Sequence, residues 1–169
     1  MASNSDIEVL TIGEPDDSVK YEERAAVRCV LRKGTDICII HVKKGNFYKL
    51  PGGDIEPDDA NDSVACKRSA LEETGCEVDV QPEMIAKTIE HHITLKQESR
   101  AYICPVIQDT GKVKFTDEGL THVWCSVDEA LQKTRNTKPT TFLGQYIRKR
   151  DEHILECYKV LQLGKLGRD

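Results

Sequence analysis

The sequence contains no run approaching the ~18 apolar residues that a membrane-spanning helix requires, so no such helix is expected. Its opening, MASNSDIEVL, lacks a basic stretch followed by an apolar one. A secretory signal is therefore not expected either, and the chain reads as cytoplasmic. No two of its seven cysteines form a C-x-x-C pair, and their number is odd. That pattern argues against a disulfide framework or a zinc site and favours small buried thiols in a reducing compartment. Positive charge is in deficit, with 24 Lys and Arg against 29 Asp and Glu, a net charge of −5. General nucleic-acid binding and membrane-surface binding are disfavoured on that balance. An anionic substrate is not, because a bound cation inverts the local charge.

What is present suits one globular domain: 169 residues, 38% apolar and 31% charged. Residues 1–20 are polar and acidic and read as a tail or a leading strand, and residues 21–169 as the domain. Ala25–Arg32 and Ile37–Val42 read as strands joined by the turn Lys33-Gly34-Thr35-Asp36. Ser63–Thr74 reads as a helix capped by Asp62 or Ser63 and ended by Gly75. Met84–His92 and Arg100–Ile107 read as strands split by the polar loop TLKQES. Short extended pieces follow at Lys112–Phe115 and His122–Cys125, then a short helix over Val127–Lys133. A long helix is predicted from about Thr140 to Leu163, where Leu143, Ile147, Ile154, Tyr158 and Leu161 recur at helical spacing. The order predicts an α+β fold, a mixed sheet with helices on its faces.

The stretch LPGGDIEPDDANDSVACKRSALEETG, from Leu50 to Gly75, carries the chemistry. Residues three and four apart share a helix face. Ser69, Glu72 and Glu73 are thus expected together, with Arg68 in reach of Glu72, while Val64, Ala70 and Leu71 pack inward. Adjacent carboxylates repel unless a cation or water screens them, and a hard ion such as Mg²⁺ takes oxygen ligands. Gly52 and Gly53 let backbone approach such an ion without a Cβ clash. The bland alternative is a solvated helix after a glycine turn.

In order and spacing the stretch resembles the Nudix box, G-x5-E-x7-R-E-U-x-E-E-x-G-U, with U a bulky aliphatic. Gly53 matches the first glycine and Asp59 the first acid. Arg68, Glu72, Glu73 and Gly75 match the later positions. The segment is one residue longer than the pattern, in a loop where insertion costs little. Asp59 stands for a glutamate, and Ala70 and Cys76 are smaller than the aliphatics. Ser69 stands where the family has a glutamate that usually binds metal.

The resemblance covers residues 24–162 and implies an α/β/α sandwich that cleaves a small-molecule diphosphate, usually a nucleoside diphosphate derivative, with Mg²⁺ or Mn²⁺. It implies metal ligation by Glu73, Glu72 and the Gly53 carbonyl, with Ser69 as a weakened ligand position, and an orienting role for Arg68. A base or further ligand often lies outside the box; Glu98 is the first choice, then Glu90 and Glu118. Phe47 and Tyr48 could stack on a base, and Lys43, Lys44, Lys49, Lys96 and Arg100 could meet phosphates. His91 and His92 read as wall or surface residues, and Arg148-Lys149-Arg150 as a solvated face. Two other functions remain open: a catalytically weak nucleotide- or protein-binding module, and hydrolysis of diphosphoinositol polyphosphates.

Overall fold

Alternation along the second strand divides the molecule into its layers. In the computed structural model, which describes residues 7–114 and 119–166, β2 (Glu22–Lys33) turns Val27, Cys29 and Leu31 to one side of the sheet and Val30 to the other. The first side is covered by α1 (Asp62–Thr74) through Ala65, Cys66 and Ala70. The second is covered by α2 (Val127–Asn136) and α3 (Phe142–Leu166) through Ala130, Leu131, Ile154, Leu155 and Tyr158. The result is an α/β/α sandwich with a core on each side of the sheet.

The remaining strands are β1 (Val9–Ile12), β3 (Asp36–Val42), β4 (Phe47–Lys49), β5 (Gly52–Asp54), β6 (Cys76–Val78), β7 (Met84–His92), β8 (Leu95–Asp109) and β9 (Leu120–Cys125). The main path of the sheet runs β1-β7-β8-β2-β3-β4, with β5 on β2, β6 on β8 and β9 on β3. The sheet is mixed: β1 runs parallel to β7 and β2 to β8, and the other pairs are antiparallel.

Two expected boundaries move. The segment expected as the loop TLKQES is mostly strand, because the turn between β7 and β8 needs only Ile93 and Thr94. Its polar residues serve both faces of β8: Gln97 and Ser99 point to a buried polar cluster, and Glu98 points to the α1 side. The α1 cap is Asn61, whose side chain accepts from the Val64 amide at 2.9 Å. Asp62, relieved of that role, binds the sheet instead. Lys112–Lys114 forms no strand, and Phe115 lies outside the described residues.

The glycines before α1 bring β5 against β2. Gly52 has φ +150°, and a Cβ there would stand 2.2 Å from the Val27 carbonyl oxygen. Gly34, at φ +61° in the hairpin turn, has nothing within 4 Å of the same position. Alanine at Gly34 is therefore expected to cost about 1 kcal/mol through backbone strain. Alanine at Gly52 adds the clash and should cost on the order of 2–4 kcal/mol. Urea titration of both variants measures the difference; equal losses would mean that β5 shifts freely to relieve the contact.

Candidate active site

A face of small residues lets α1 lie close to the sheet. Ala65, Cys66, Ser69 and Ala70 are all buried on it, whereas Val64 and Leu71, expected to pack inward, are exposed. The helix ends at Gly75, whose φ of +75° is the left-handed conformation that stops a helix and whose amide closes on the Leu71 carbonyl. Two residues before Gly75, Glu73 turns back over the glycine segment. Its Oε2 accepts the Gly52 amide at 3.1 Å, and its Oε1 lies 3.7 Å from Lys49 Nζ. Burial raises the Glu73 carboxyl above its ordinary pKa, an effect that Lys49, the Gly52 amide and Arg28 offset only in part.

Ser69 sits one turn earlier on the same face. It is 3% exposed, and its Oγ has no hydrogen-bond partner among the described residues. That oxygen is 3.7 Å from where a Cβ on Gly53 would stand. The register of β5 on β2 settles which peptide groups face it. The Cys29 amide donates to the Pro51 carbonyl, and the Ile55 amide to the Ala25 carbonyl. Gly53, opposite Val27, falls in the same hydrogen-bonded phase of the ladder. Gly52, not Gly53, therefore turns its peptide groups away from β2.

Glu72 and Glu73 meet different cationic side chains. Glu72 lies 3.5 Å from Arg68 and 3.4 Å from Lys114, on the flank of α1. Arg68 clamps Asp59 with two hydrogen bonds, at 3.1 and 2.8 Å, and also donates to the Asp54 carbonyl at 3.0 Å. That pairing holds the Asp59 carboxyl below its ordinary pKa. Arg68 thus straps the inserted loop to the helix.

Gly53 and Asp54 form one lip of a cleft of about 330 Å³ between the sheet and α3. Arg24, Arg28, Glu90, Gln97 and Arg150 supply its polar lining, and Leu95, Leu143, Tyr146 and Ile147 its apolar wall. Glu90 accepts hydrogen bonds from Thr88, Gln97, Ser99 and Arg150. Arg150, 4% exposed, pairs at 2.8 Å with Asp151, which in turn accepts the Leu50 amide at 2.9 Å. Arg28 is also buried, and its Nε has no partner among the described residues. Burial, with Arg150 nearby, lowers its pKa to about 10.

The other expected site residues are dispersed. Glu98 lies on β8, where Lys87 and Arg100 bind it. Arg100 is held by Asp62 in two bonds, at 2.7 and 2.8 Å, and Tyr102 donates to the same aspartate at 2.5 Å. Asp62 and Glu73 occupy opposite ends of α1, about 16 Å apart along its axis. Glu98 and Arg100 are thus at the wrong end of the helix to act beside Glu73, because the segment predicted as a loop is rigid strand. Phe47 is buried against Gly144, where an added Cβ would meet its ring at 2.8 Å, so it offers no face to a base. Tyr48 packs on His41. His91 meets Tyr21, and His92 meets Phe142 and Tyr146. Glu118 lies outside the described residues.

Arg28 and Arg150 were not anticipated as site residues. For Arg28 the signal is a charge inside the apolar run AAVRCVL, on a strand buried on both faces. For Arg150 it is the neighbour, since Asp151 falls in register with Ile147, Ile154 and Tyr158 on the inner face of α3.

Glu73, Ser69 one turn before it, and the outward backbone of Gly52 are the oxygen-bearing groups that would hold a hard divalent cation here. Among the described residues, the groups of three His, Cys, Asp or Glu donors close enough for a shared metal are Cys29, Cys66 and Cys104, and Glu8, His153 and Cys157. Neither includes Glu72 or Glu73.

A family-level comparison matches the NUDIX domain over residues 22–144. Among solved structures, the E. coli ORF135 protein aligns with a TM-score of 0.60 and 23% identity, over 88% of this chain and 96% of that one. A NUDIX hydrolase from Nitrosomonas europaea gives 0.58 and 19%, over 82% and 90%. An ADP-ribose pyrophosphatase from Streptococcus suis gives 0.51 and 15%, over 78% and 88%. No match was found among curated protein sequences.

Two outcomes are expected from these placements. Calorimetric titration of Mn²⁺ should show a large loss of affinity in Glu73→Gln and none in Glu98→Gln; the reverse order would overturn the placement of the cation. The Asp62 carboxyl is held below its ordinary value by Arg100 and Tyr102. Its contribution to stability is therefore present above the unfolded pKa of about 3.9 and lost as pH falls through the lowered folded value. Asp62→Asn should destabilise at neutral pH and flatten that acid limb of the stability profile measured by urea titration.

Proposed function

The chain belongs to the Nudix family, and on that premise we propose that it hydrolyses the diphosphate linkage of a nucleoside diphosphate derivative with a divalent cation held at Glu73. The observation that carries this reading is the largely buried Glu73 carboxylate, bound by the Gly52 amide one turn after Ser69, whose Oγ has no partner among the described residues, beside a cleft lined by Arg28, whose Nε has none among them either. A buried carboxylate whose pKa is raised gains most from a cation that replaces lost solvation.

Mg²⁺ or Mn²⁺ bound there would polarise phosphate oxygens and activate water. The chain's own residues do the positioning. Glu73, with Ser69 and the Gly52 backbone, would hold the cation against a rigid helix. Arg28 lines the cleft, where its guanidinium would bind a phosphate oxygen and stabilise charge that grows during cleavage. Arg68 keeps the loop in place through Asp59 and acts by orientation. Leu95, Leu143, Tyr146 and Ile147 give the cleft an apolar wall for a planar group.

The cleft also favours a nucleoside-type substrate over a diphosphoinositol polyphosphate. Its arginines share the lining with Asp54 and Glu90, and one wall is apolar; a densely phosphorylated ring needs a pocket without such acids. Ser69 would leave the cation with a single box carboxylate, and this supports slow turnover, the property of the catalytically weak binding module.

A panel of nucleoside diphosphate derivatives and inositol pyrophosphates, assayed with Mg²⁺ and Mn²⁺, tests the reading. On the best substrate Ser69→Glu should raise the rate at least about tenfold, equivalent to ~1.4 kcal/mol of transition-state stabilisation. Because the new carboxylate enters a buried site beside Glu73, the variant should melt below the parent without divalent cation and recover when Mn²⁺ is added. A folded variant that is no faster and gains nothing from Mn²⁺ would show that the cation sits elsewhere.

A further inference from the structure

A second set of donor atoms lies where the N-terminal segment crosses α3, in a cleft that shares no lining residue with the candidate active site. His153 and Cys157 are one turn apart on α3, so their side chains emerge from the same face. Cys157 Sγ is 3.8 Å from His153 Nε2. Glu8, just before β1, reaches the same point. Its backbone carbonyl lies 3.4 Å from His153 Nε2, and the Glu8 carboxylate, the imidazole and the thiol have donor atoms all within 4.8 Å of one another. Both helix residues are half-buried and Glu8 is exposed, so the trio is open to solvent. It borders a cavity of about 530 Å³.

From this geometry we infer that Glu8, His153 and Cys157 form a binding site for Zn²⁺, with water or a small ligand from the cavity in the fourth position. One imidazole, one thiolate and one carboxylate are the three ligand types that zinc accepts, at distances of about 2.0–2.3 Å. Tetrahedral placement at those lengths puts ligand atoms roughly 3.5 Å apart, so only a small inward movement of Glu8 is required. A mixed sulfur, nitrogen and oxygen set is poorly matched to Mg²⁺, which takes oxygen. Burial, followed by Glu8 and Glu156, raises the Cys157 pKa, so the thiol is protonated until a metal displaces the proton. The other charged groups lining the cavity are Lys149, Glu152 and Glu156, and both glutamates are occupied by Arg135.

A spacing rule cannot reveal this site. The ligands come from residues 8, 153 and 157, and β1 brings the first to the others by pairing with β7 beneath α3. Bound zinc would clip the leading strand to the last helix. The site is independent of the reaction proposed above, because its cavity shares no lining residue with the cleft.

Titration of the metal-free full chain with Co²⁺ reads the site directly. The expected result is saturable near-ultraviolet absorption from thiolate coordination, abolished by competing Zn²⁺. Cys157→Ser should remove the absorption, and His153→Ala should weaken binding at least about tenfold, whereas Glu156→Gln should leave it unchanged. Zn²⁺ should raise the melting temperature of the parent and not that of Cys157→Ser, whose melting temperature without metal reports its folding. Absorption that survives in folded Cys157→Ser would place the metal at Cys29, Cys66 and Cys104 and overturn the assignment. So would the absence of saturable binding.

Discussion

The hydrogen bond from the Leu50 amide to Asp151 fixes the geometry on which the candidate site depends. Asp151 is buried beside Arg150, and Arg150 reaches Glu90 on the central sheet. Removing one member of such a buried pair typically costs ~3–5 kcal/mol, because the other is left uncompensated. The network therefore tolerates little displacement of α3. Two residues beyond Leu50 comes Gly52, whose amide meets Glu73. The position of a carboxylate on α1 is in this way referred, through five residues, to a helix on the opposite side of the sheet.

Charge is distributed around α1 so that neighbouring acids seldom compete. Glu72 takes Arg68 and Lys114 on one flank, Glu73 takes Lys49 and a backbone amide on another, and Asp62 takes Arg100 and Tyr102 at the far end. Glu73 is left with less compensation than its burial demands. The serine one turn before it preserves close approach of the helix to the glycine strand but supplies no charge. The small side chain thus suits packing and weakens cation binding at once.

Local patterns in the sequence reported much of this architecture. The β2–β3 hairpin, α1 with its glycine stop, the long last helix and the box spacing were all legible because each rests on periodicity or turn chemistry within a few residues. Glu98 was misplaced because polarity alone suggested a loop, and a strand with polar partners on both faces looks the same in sequence. The cap was assigned to Asp62 or Ser63 because Asn, Asp and Ser cap equally well; tertiary pairing with Arg100 decided the matter. Arg150 was read as solvated because charged residues usually are, and only the fold reveals Glu90 facing it. Asp151 on the apolar stripe of α3 was the available signal.

The Leu50–Asp151 contact joins residues 101 positions apart. A ribosome makes the chain from the amino end, so the sheet strands and α1 exist well before α3 leaves the exit tunnel. Until then the Leu50–Gly53 segment has no buried aspartate to receive its amide, and Glu73 has no fixed amide to accept. The growing chain can thus own every residue of the box while lacking the box's geometry. Competence arrives last, with the helix that contributes no box residue at all.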